Sequence, residues 1–526
     1  MRAILAPYDK TGLVDFARGL RELGWELLAT GGTERALREA GLEVTPVADF
    51  TGSPEMLEGR VKTLHPRIHG GLLYRRGHAG DEAEVATHGL DAIDLLAGNL
   101  YPFVETVTRD GATFAEALEN IDIGGPAMIR SAAKNHPSVI PLVDPADYPA
   151  VLEALRGAGL EDAARRTLAA KAFQHVARYD TLVAEYLRGP DDPLPPELTL
   201  AMTRREELRY GENPHQRGAF YRFDSVTTPA EGIGGAVQHH GKALSFVNIL
   251  DADAAFNLVA DFAEPAIAII KHTNPCCFAT SSTAEASGPD GLARLFERAL
   301  VEGDPVSAYG GIVAVNRPLD MALATALRDV LSPVNGVRMF YEIVIVPDAE
   351  PEALEHLKKK SRDLRILTAP LGDPHRARLD FRAVRGGVVV QGADVSEETA
   401  FEVVGERQPT AAELADLRTA WVVCKHVKSN GVVYVKDGLL IGMGAGQPNR
   451  VQSARLGAEQ AGERARGAVC ASDALIPFPD TIEVSAAAGV TAVVHTGGSI
   501  RDDESVATAN RLGVSLLTTG VRHFRH

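Results

Sequence analysis

The chain has four cysteines in 526 residues: Cys276, Cys277, Cys424 and Cys470. That is too few for a disulfide scaffold, and no C-x-x-C pair exists to make a zinc ribbon or a thioredoxin-type motif. A reduced, cytoplasmic setting is expected. No stretch approaches ~18 uninterrupted apolar residues, so no membrane-spanning helix is expected. The N-terminal stretch meets charge at Asp9 before a signal-length apolar segment develops. Positive charge is in deficit: 54 Lys and Arg against 70 Asp and Glu leave −16. General nucleic-acid binding needs a positive footprint and is not expected. A small anionic substrate still fits, because a local basic site can sit in an acidic protein. Several catalytic signatures are missing too. The chain has no G-x-x-x-x-G-K-S/T, H-E-x-x-H, G-x-S-x-G or G-x-G-x-x-G. P-loop ATP hydrolysis, zincin proteolysis, the α/β-hydrolase triad and the dinucleotide fingerprint lose their marks.

What is present is ordinary in bulk and informative in order. Hydrophobic residues are 45% and charged residues 24%, as in a folded globular protein. The length suggests about three or four domains, or two larger ones. Apolar runs at 3–6, 25–29, 44–47, 95–100 and 139–143 alternate with helical patterns at 12–23 and 33–40. That alternation predicts an α/β domain with a parallel sheet, whose ligands sit beyond the strand carboxyl ends. Residues 145–187 read as helical and Ala-rich, and the Pro-rich segment 188–196 as a linker. The expected domains are residues 1–145, a connector at 146–198, and residues 199–526. The last region holds an echo: an apolar strand at 266–270 runs into Lys271-His272, and one at 419–424 runs into Lys425-His426. This reads as a duplication giving two similar subdomains, with chance as the alternative.

The unusual residues fall in the expected loops. Thr30-Gly31-Gly32-Thr33 lies between a strand and a helix, where glycines and a helix N-terminus suit a phosphate monoester. The bland alternative is a tight turn with Thr33 as helix N-cap. Lys10, Arg60 and Lys62 would join it as cations if the sheet is parallel. Tyr101 follows a strand, and Asp122-Ile-Gly-Gly opens a helix carrying Arg130 and Lys134 on one face. These groups could act as acid, base or oxyanion stabiliser. The alternatives are a core aromatic for Tyr101 and a helix N-cap for Asp122. Further on, Arg209-Tyr210-Gly211-Glu212-Asn213-Pro214-His215-Gln216 packs many functional groups together. His272 beside Lys271 at a strand end suits a general base with an electrostatic partner, against the plainer reading of a satisfied structural histidine. Pro275-Cys276-Cys277 lacks the spacing of a zinc deaminase, and no H-x-E exists, so no metal is expected. Gly442-Met-Gly444-Ala-Gly446-Gln447 is a weak backbone-donor loop. The Lys358-Lys359-Lys360 run reads as a solvated helix face.

Together these motifs resemble one family: the bifunctional purine-biosynthesis enzymes that join phosphoribosylaminoimidazolecarboxamide (AICAR) formyltransferase to IMP cyclohydrolase. The resemblance is colinear over nearly the whole chain. It rests on D-K-T-G at Asp9, T-G-G-T at Thr30, R-V-K-T-L-H-P at Arg60, N-L-Y-P-F at Asn99 and D-I-G-G at Asp122. It continues with R-Y-G-E-N-P-H-Q at Arg209, K-H-x-N-P-C at Lys271, K-S-N at Lys428, G-A-G-Q at Gly444, S-D-A at Ser472 and R-H-F-R-H at Arg522. The resemblance implies an N-terminal methylglyoxal-synthase-like domain and a C-terminal region of two cytidine-deaminase-like subdomains without zinc. It implies 10-formyltetrahydrofolate as co-substrate and a homodimer with shared transformylase sites; a monovalent cation occurs in some relatives, and no residue here is assigned to it. For formyl transfer it implies His272 as base, Lys271 as its partner and Asn430 as an orienting group. Arg209, Tyr210, Glu342, Arg522, Gly310 and Leu475 would lie on the substrate side and Arg450 on the folate side. For cyclisation it implies Lys62, Tyr101, Asp122 and Lys134 as catalytic, with Lys10, Thr30–Thr33, Arg60, Thr63, Asn99, Gly124 and Gly125 binding substrate. Three departures stand out: Tyr8 where the family carries Ser, Cys277 where it carries Gly, and Leu475-Ile476 where it often carries two Phe. If position 277 needs a positive φ, Cys277 is strained. A ligand-sensing module without catalysis and a zinc nucleoside deaminase are the competing readings.

Overall fold

Five short apolar strands build the first sheet: β1 (Arg2–Leu5), β2 (Glu26–Ala29), β3 (Thr45–Pro46), β4 (Leu95–Ala97) and β5 (Ile140–Leu142), in the order β3-β2-β1-β4-β5. Every neighbouring pair is parallel. The computed structural model describes residues 1–281, 288, 290–395 and 400–526. Strand side chains alternate between two cores. Ala3 and Leu5 pack with α1 (Leu13–Glu22), while Ile4, Leu28 and Leu96 face the opposite core. A parallel sheet buried on both faces needs apolar residues at nearly every strand position, which is why its strands read as continuous runs. The sheet belongs to a unit formed by Met1–Thr203 and Phe223–Pro229. That unit also holds α2 (Gly31–Glu39), α3 (Phe114–Glu119), α4 (Gly124–Lys134) and the long α5 (Asp162–Arg188). The run at 95–100 is shorter than expected, because the chain leaves the sheet after Ala97.

The second unit comprises Arg204–Arg222 and Ala230–His526. A hairpin of β6 (Met202–Leu208) and β7 (Gly218–Phe223) leads into it. Its main sheet uses β8 (Val237–His240), β9 (Ala266–Lys271), β10 (Asn274–Thr280), β11 (Gly311–Val315), β12 (Tyr341–Val346) and β13 (Arg365–Thr368). After a separate hairpin, β14 (Leu379–Val384) and β15 (Gly387–Gly392), it continues with β16 (Glu402–Val403), β17 (Val432–Lys436), β18 (Leu439–Gly444), β19 (Val469–Ser472), β20 (Ala492–His495) and β21 (Ser515–Thr518). The order is β16-β21-β20-β19-β17-β18-β10-β9-β11-β12-β13-β8, twelve strands in one mixed sheet among the described residues.

That order is symmetric about the β18–β10 pair. The first half runs α6 (Phe246–Ala260), β9, β10, α7 (Gly291–Glu302), β11, α8 (Met321–Asp329), β12, α9 (Pro351–Lys358), β13. The second half runs α10 (Ala411–Lys425), β17, β18, α11 (Arg450–Ala461), β19, α12 (Asp480–Ala487), β20, α13 (Asp502–Leu512), β21. The element order is identical among the described residues. So the second unit is an internal repeat, but not in the register the Lys-His echo suggested. Residues 419–424 are not a strand. They lie in α10, started by a capping box between Thr410 and Glu413. A short apolar run does not distinguish a buried strand from a buried helix, and here the upstream cap and the Ala/Leu/Glu content decide for helix. The true counterpart of the β9–β10 turn at His272-Thr273 is the β17–β18 turn at Asp437-Gly438. In both turns the two central residues have φ between 52 and 71°.

The lysine run also differs from expectation. Lys359 is exposed, whereas Lys360 is partly buried, donates to the Arg328 carbonyl at 3.0 Å and lies over the Tyr341 ring at 5.2 Å. Burial pulls its pKa down to about 8.

Candidate active sites

In the first unit the parallel register puts the ends of β1, β2, β4 and β5 on one edge. Asn99, just past β4, pins the loop after β1: its side-chain oxygen accepts from the Tyr8 and Asp9 amides at 2.7 and 2.9 Å, and its nitrogen donates to the Asp9 carbonyl at 3.2 Å. That loop holds the Lys10 ammonium beside α2: a Cβ placed on Gly32 would sit 3.9 Å from Lys10 Nζ. The N-cap of α2 is Thr30, not Thr33, and its side chain makes no capping bond. Thr33 is buried and donates to the Pro7 carbonyl at 3.2 Å. The two glycines lead the helix, so Gly31 and Gly32 leave their backbone exposed beside a cation.

Tyr101 is not a core aromatic. It is 44% exposed and packs edge-on against Tyr8 with ring centroids 6.0 Å apart. Tyr8 therefore forms a wall of the site. Asp122 precedes α4, whose formal N-cap is Ile123, yet its carboxylate accepts the Gly125 amide at 2.8 Å and does the capping. Burial holds the Asp122 pKa above its usual range. The glycines of D-I-G-G permit this packing. A Cβ on Gly125 would come within 2.4 Å of Asp122 Oδ2, and one on Gly124 within 2.5 Å of Thr63 Oγ1. Thr63 thus lies against the start of α4, one residue beyond Lys62.

Two cations here already have partners. Arg60 is paired with Glu119 of α3, and Lys62 Nζ lies 3.3 Å from Glu55. Lys134 is exposed at the far end of α4, ~15 Å along the axis from Gly124 at 1.5 Å per residue. A single chain does not bring Lys134 to Asp122. Tyr179 of α5 was not singled out from the sequence. Its hydroxyl accepts the Asp122 amide at 2.8 Å and donates to the Asn120 carbonyl at 3.2 Å, and burial pushes it up to about 12. It lies 57 residues from Asp122, and no local pattern could have flagged it.

In the second unit the register gathers another set on one edge. β9 ends at Lys271, beside the start of β11 at Gly311 and of β12 at Tyr341. β17 starts and β18 and β19 end on the same side, since Val432 pairs with both Gly444 and Ser472. So the loops at 271–274, 309–310, 428–431, 444–450 and 472–475 share this edge.

His272 and Thr273 are the central residues of a two-residue hairpin turn, with φ of 52 and 60°. Such turns favour Gly and Asn, and left-handed backbone costs other residues ~1–2 kcal/mol each. The turn is held from both sides. The Asp251 carboxylate of α6 accepts the Thr273 amide at 2.7 Å and the His272 amide at 3.3 Å. The Asn274 amide donates to the His272 carbonyl at 3.0 Å, and its oxygen accepts the Lys428 amide at 3.2 Å. Lys271 Nζ donates to the Tyr309 carbonyl at 2.8 Å, next to Gly310.

Asn430 donates to the Gln447 carbonyl at 2.9 Å and accepts from Arg450 at 2.8 Å. Arg450 is 7% exposed and paired with Asp473, which is fully buried; it also donates to Ser472 at 2.7 Å. Arg450 therefore supports Asn430 from inside rather than presenting itself to a ligand. Glu342 is likewise committed, at 2.6 Å from the buried Arg365. Leu475 is 36% exposed at this edge, while Ile476 is fully buried. Cys277 has no positive φ; it is a buried strand residue, and Gly303 makes room for its sulfur. Arg209, stacked at 5.3 Å on Tyr210, and Arg522, 4.4 Å over Phe524, are exposed and not drawn into this network. Among the described residues no group of three or more His, Cys, Asp or Glu could hold a metal ion.

Two α/β units, each with polar groups gathered at one sheet edge, describe a two-site enzyme. Comparison with known proteins agrees. The AICARFT/IMPCHase bienzyme family matches residues 132–460, and the MGS-like domain matches residues 12–127. The chain is 46% identical over 530 aligned residues to the "Bifunctional purine biosynthesis protein PurH" of Bacillus cytotoxicus, covering 100% of this chain and 99% of the relative. It is 44% identical to the protein of that name from Bacillus subtilis, with the same coverage. The solved chain titled "Crystal structure of ForH" is 43% identical, covering 36% of this chain and 97% of that one, at a TM-score of 0.33. This chain belongs to the AICARFT/IMPCHase bienzyme family.

Proposed function

We infer that the chain performs both reactions of its family, each in its own unit. It moves a formyl group from 10-formyltetrahydrofolate to the amine of AICAR, then closes the formylated product to IMP with loss of water. The proposed boundaries are residues 1–145 for cyclisation and 199–526 for formyl transfer; residues 146–198, expected as a connector, pack within the first unit through α5.

The acceptor amine in formyl transfer is a weak nucleophile, conjugated with the imidazole. His272 takes its proton as the nitrogen–carbon bond forms. Lys271 offsets charge on the tetrahedral oxyanion or protonates the folate nitrogen as its bond to the formyl carbon breaks. Asn430 orients the formyl group, with Arg450 behind it. The observation that carries this reading is the tie between the two halves of the repeat: Asn274 bonds both the His272 carbonyl and the Lys428 amide. Base and orienting amide are thereby fixed to one frame. Arg209 and Arg522 stay exposed and Tyr210 half-buried in one chain, which suits a homodimer in which a second copy completes the nucleotide site. A reduced, cytoplasmic setting fits four free, buried cysteines.

In cyclisation the carboxamide nitrogen attacks the formyl carbon and the carbonyl oxygen leaves as water. Asp122, kept more basic by burial, accepts the nucleophile's proton. Lys62 and Tyr101 stabilise the departing oxygen, and Lys10 with the Thr30–Thr33 turn holds the phosphate. Lys134 has no place in this scheme within one chain. The second reaction draws the first forward by consuming its product.

The test is to assay each half-reaction separately on His272→Ala and Asp122→Asn. The inference requires His272→Ala to lose tetrahydrofolate formation while cyclising supplied formylated nucleotide, and Asp122→Asn to do the reverse. Loss of both activities from a folded single variant would refute the division.

A further inference from the structure

The turn that carries His272 is built from residues that do not favour it. Its two central positions take φ of 52 and 60° and hold His and Thr, a β-branched residue for which this conformation is an outlier. The repeat supplies an internal comparison. At the matching place between β17 and β18 stands Asp437-Gly438, an ordinary occupant of such a turn. Both turns are bound the same way. Asp416, sixth residue of α10, accepts the Asp437 and Gly438 amides at 2.8 and 2.7 Å. Asp251, sixth residue of α6, accepts the His272 and Thr273 amides at 3.3 and 2.7 Å. Both helices begin with a capping box, at Ser245–Asn248 and Thr410–Glu413. The same clasp therefore holds a turn with glycine in one half and a turn without it in the other. Asp251 is 7% exposed, and each of its two oxygens accepts one of the two amides.

We propose that Asp251 is a positioning residue for formyl transfer: its carboxylate clasp holds the glycine-free turn in the left-handed conformation that aims His272. This rests on the reading of His272 as the base. In the second half the clasp secures a turn that glycine already favours. In the first half it bears the strain, which frees the first central position for a base. Without the clasp the turn relaxes towards negative φ and His272 rotates away from the segment to which Asn274 ties it.

The experiment compares Asp251→Ala, Thr273→Gly and the double variant, with Asp251→Asn as a milder change that keeps one acceptor oxygen. AICAR and 10-formyltetrahydrofolate are the probes; cyclisation by the same chain reports on the first unit, and the denaturant midpoint of the second unit reports on the folding of the part that carries the substitution. Asp251→Ala is expected to lower the formyl-transfer kcat about 10- to 100-fold, the scale of an ångström-level misplacement. KM for AICAR and cyclisation stay near wild type. Thr273→Gly alone stays near wild type, and in the Asp251→Ala background it restores kcat at least several-fold, because glycine takes the conformation without help. A merely structural aspartate would not be rescued by a glycine in the turn. Asp251→Ala at wild-type kcat, a rise in KM alone, or a double variant no better than Asp251→Ala would overturn the proposal. If Asp251→Ala does not fold, the same comparison is made with Asp251→Asn and its Thr273→Gly partner. His272→Ala is run alongside. Full formyl transfer by that variant would remove the base assignment itself, a different failure from an inert Asp251.

Discussion

Arg450 donates to the side-chain oxygen of Asn430 at 2.8 Å from within a buried pair with Asp473. The amide is thus oriented by a cation that is itself held by Asp473 and Ser472. Breaking a buried pair leaves an uncompensated charge and costs about 3–5 kcal/mol. Arg450→Ala should lower the unfolding free energy of the second unit by that amount, read as a fall in its denaturant midpoint, and depress formyl transfer. In a double-mutant cycle with Asn430→Ala the two losses should be strongly non-additive, because both remove one arrangement. Independent, additive losses would show that Arg450 meets a ligand on its own account.

Gly125 is held to its size by Asp122. A Cβ there would fall 2.4 Å from Asp122 Oδ2 and 2.9 Å from Leu100 Cδ2. Gly125→Ala should push the carboxylate aside and lower cyclisation about 100-fold. Formyl transfer, measured on the same preparation, should be unchanged. Normal cyclisation would mean Asp122 is free to move without loss.

Asp122 is a carboxylate whose folded pKa lies above its ordinary value of 3.8 because of burial. The unfolded chain ionises it first as pH rises, so its presence subtracts from stability above pH 3.8 and costs nothing well below. Asp122→Asn keeps an oxygen for the Gly125 amide and discards the charge. The variant should be at least as stable as wild type at pH 7, with the difference shrinking in acid, while cyclisation falls about 10²- to 10⁴-fold. Thermal midpoints across pH, with activity alongside, check both halves of the statement.

Lys360 gives the opposite slope. Its folded pKa is pulled from 10.5 down to about 8, chiefly by burial. Between those values the unfolded chain holds the extra proton, so stability rises with pH across that window. Lys360→Met keeps the apolar stem, and should flatten this rise and raise the midpoint at neutral pH. Parallel pH profiles for the two proteins would contradict the assignment.

The loops that matter were largely legible in the sequence, because a parallel sheet places strand ends on one edge and chemistry-bearing residues cluster after apolar runs. Asn99, Tyr101, Asp122 and His272 are such cases. The Lys425-His426 echo misled. It suggested a repeat that exists, but matched a strand end to a helix end, since a six-residue apolar run carries no clear period. Asp251, Asp416 and Tyr179 were not legible. Their partners are 21 to 59 residues away, and only the fold brings them together. Arg450 and Glu342 have residue types that suit a ligand, but the structure commits them to internal partners that spacing does not reveal.

The most direct test of two separable sites is a mixing experiment. His272→Ala and Asp122→Asn are each assayed alone and then together, with AICAR and 10-formyltetrahydrofolate as the only substrates and IMP as the product measured. Each variant alone should fail to make IMP, and the mixture should make it, the formylated nucleotide passing from the Asp122→Asn protein to the His272→Ala protein. A folded mixture that makes no IMP, or either variant making IMP unaided, would contradict the account.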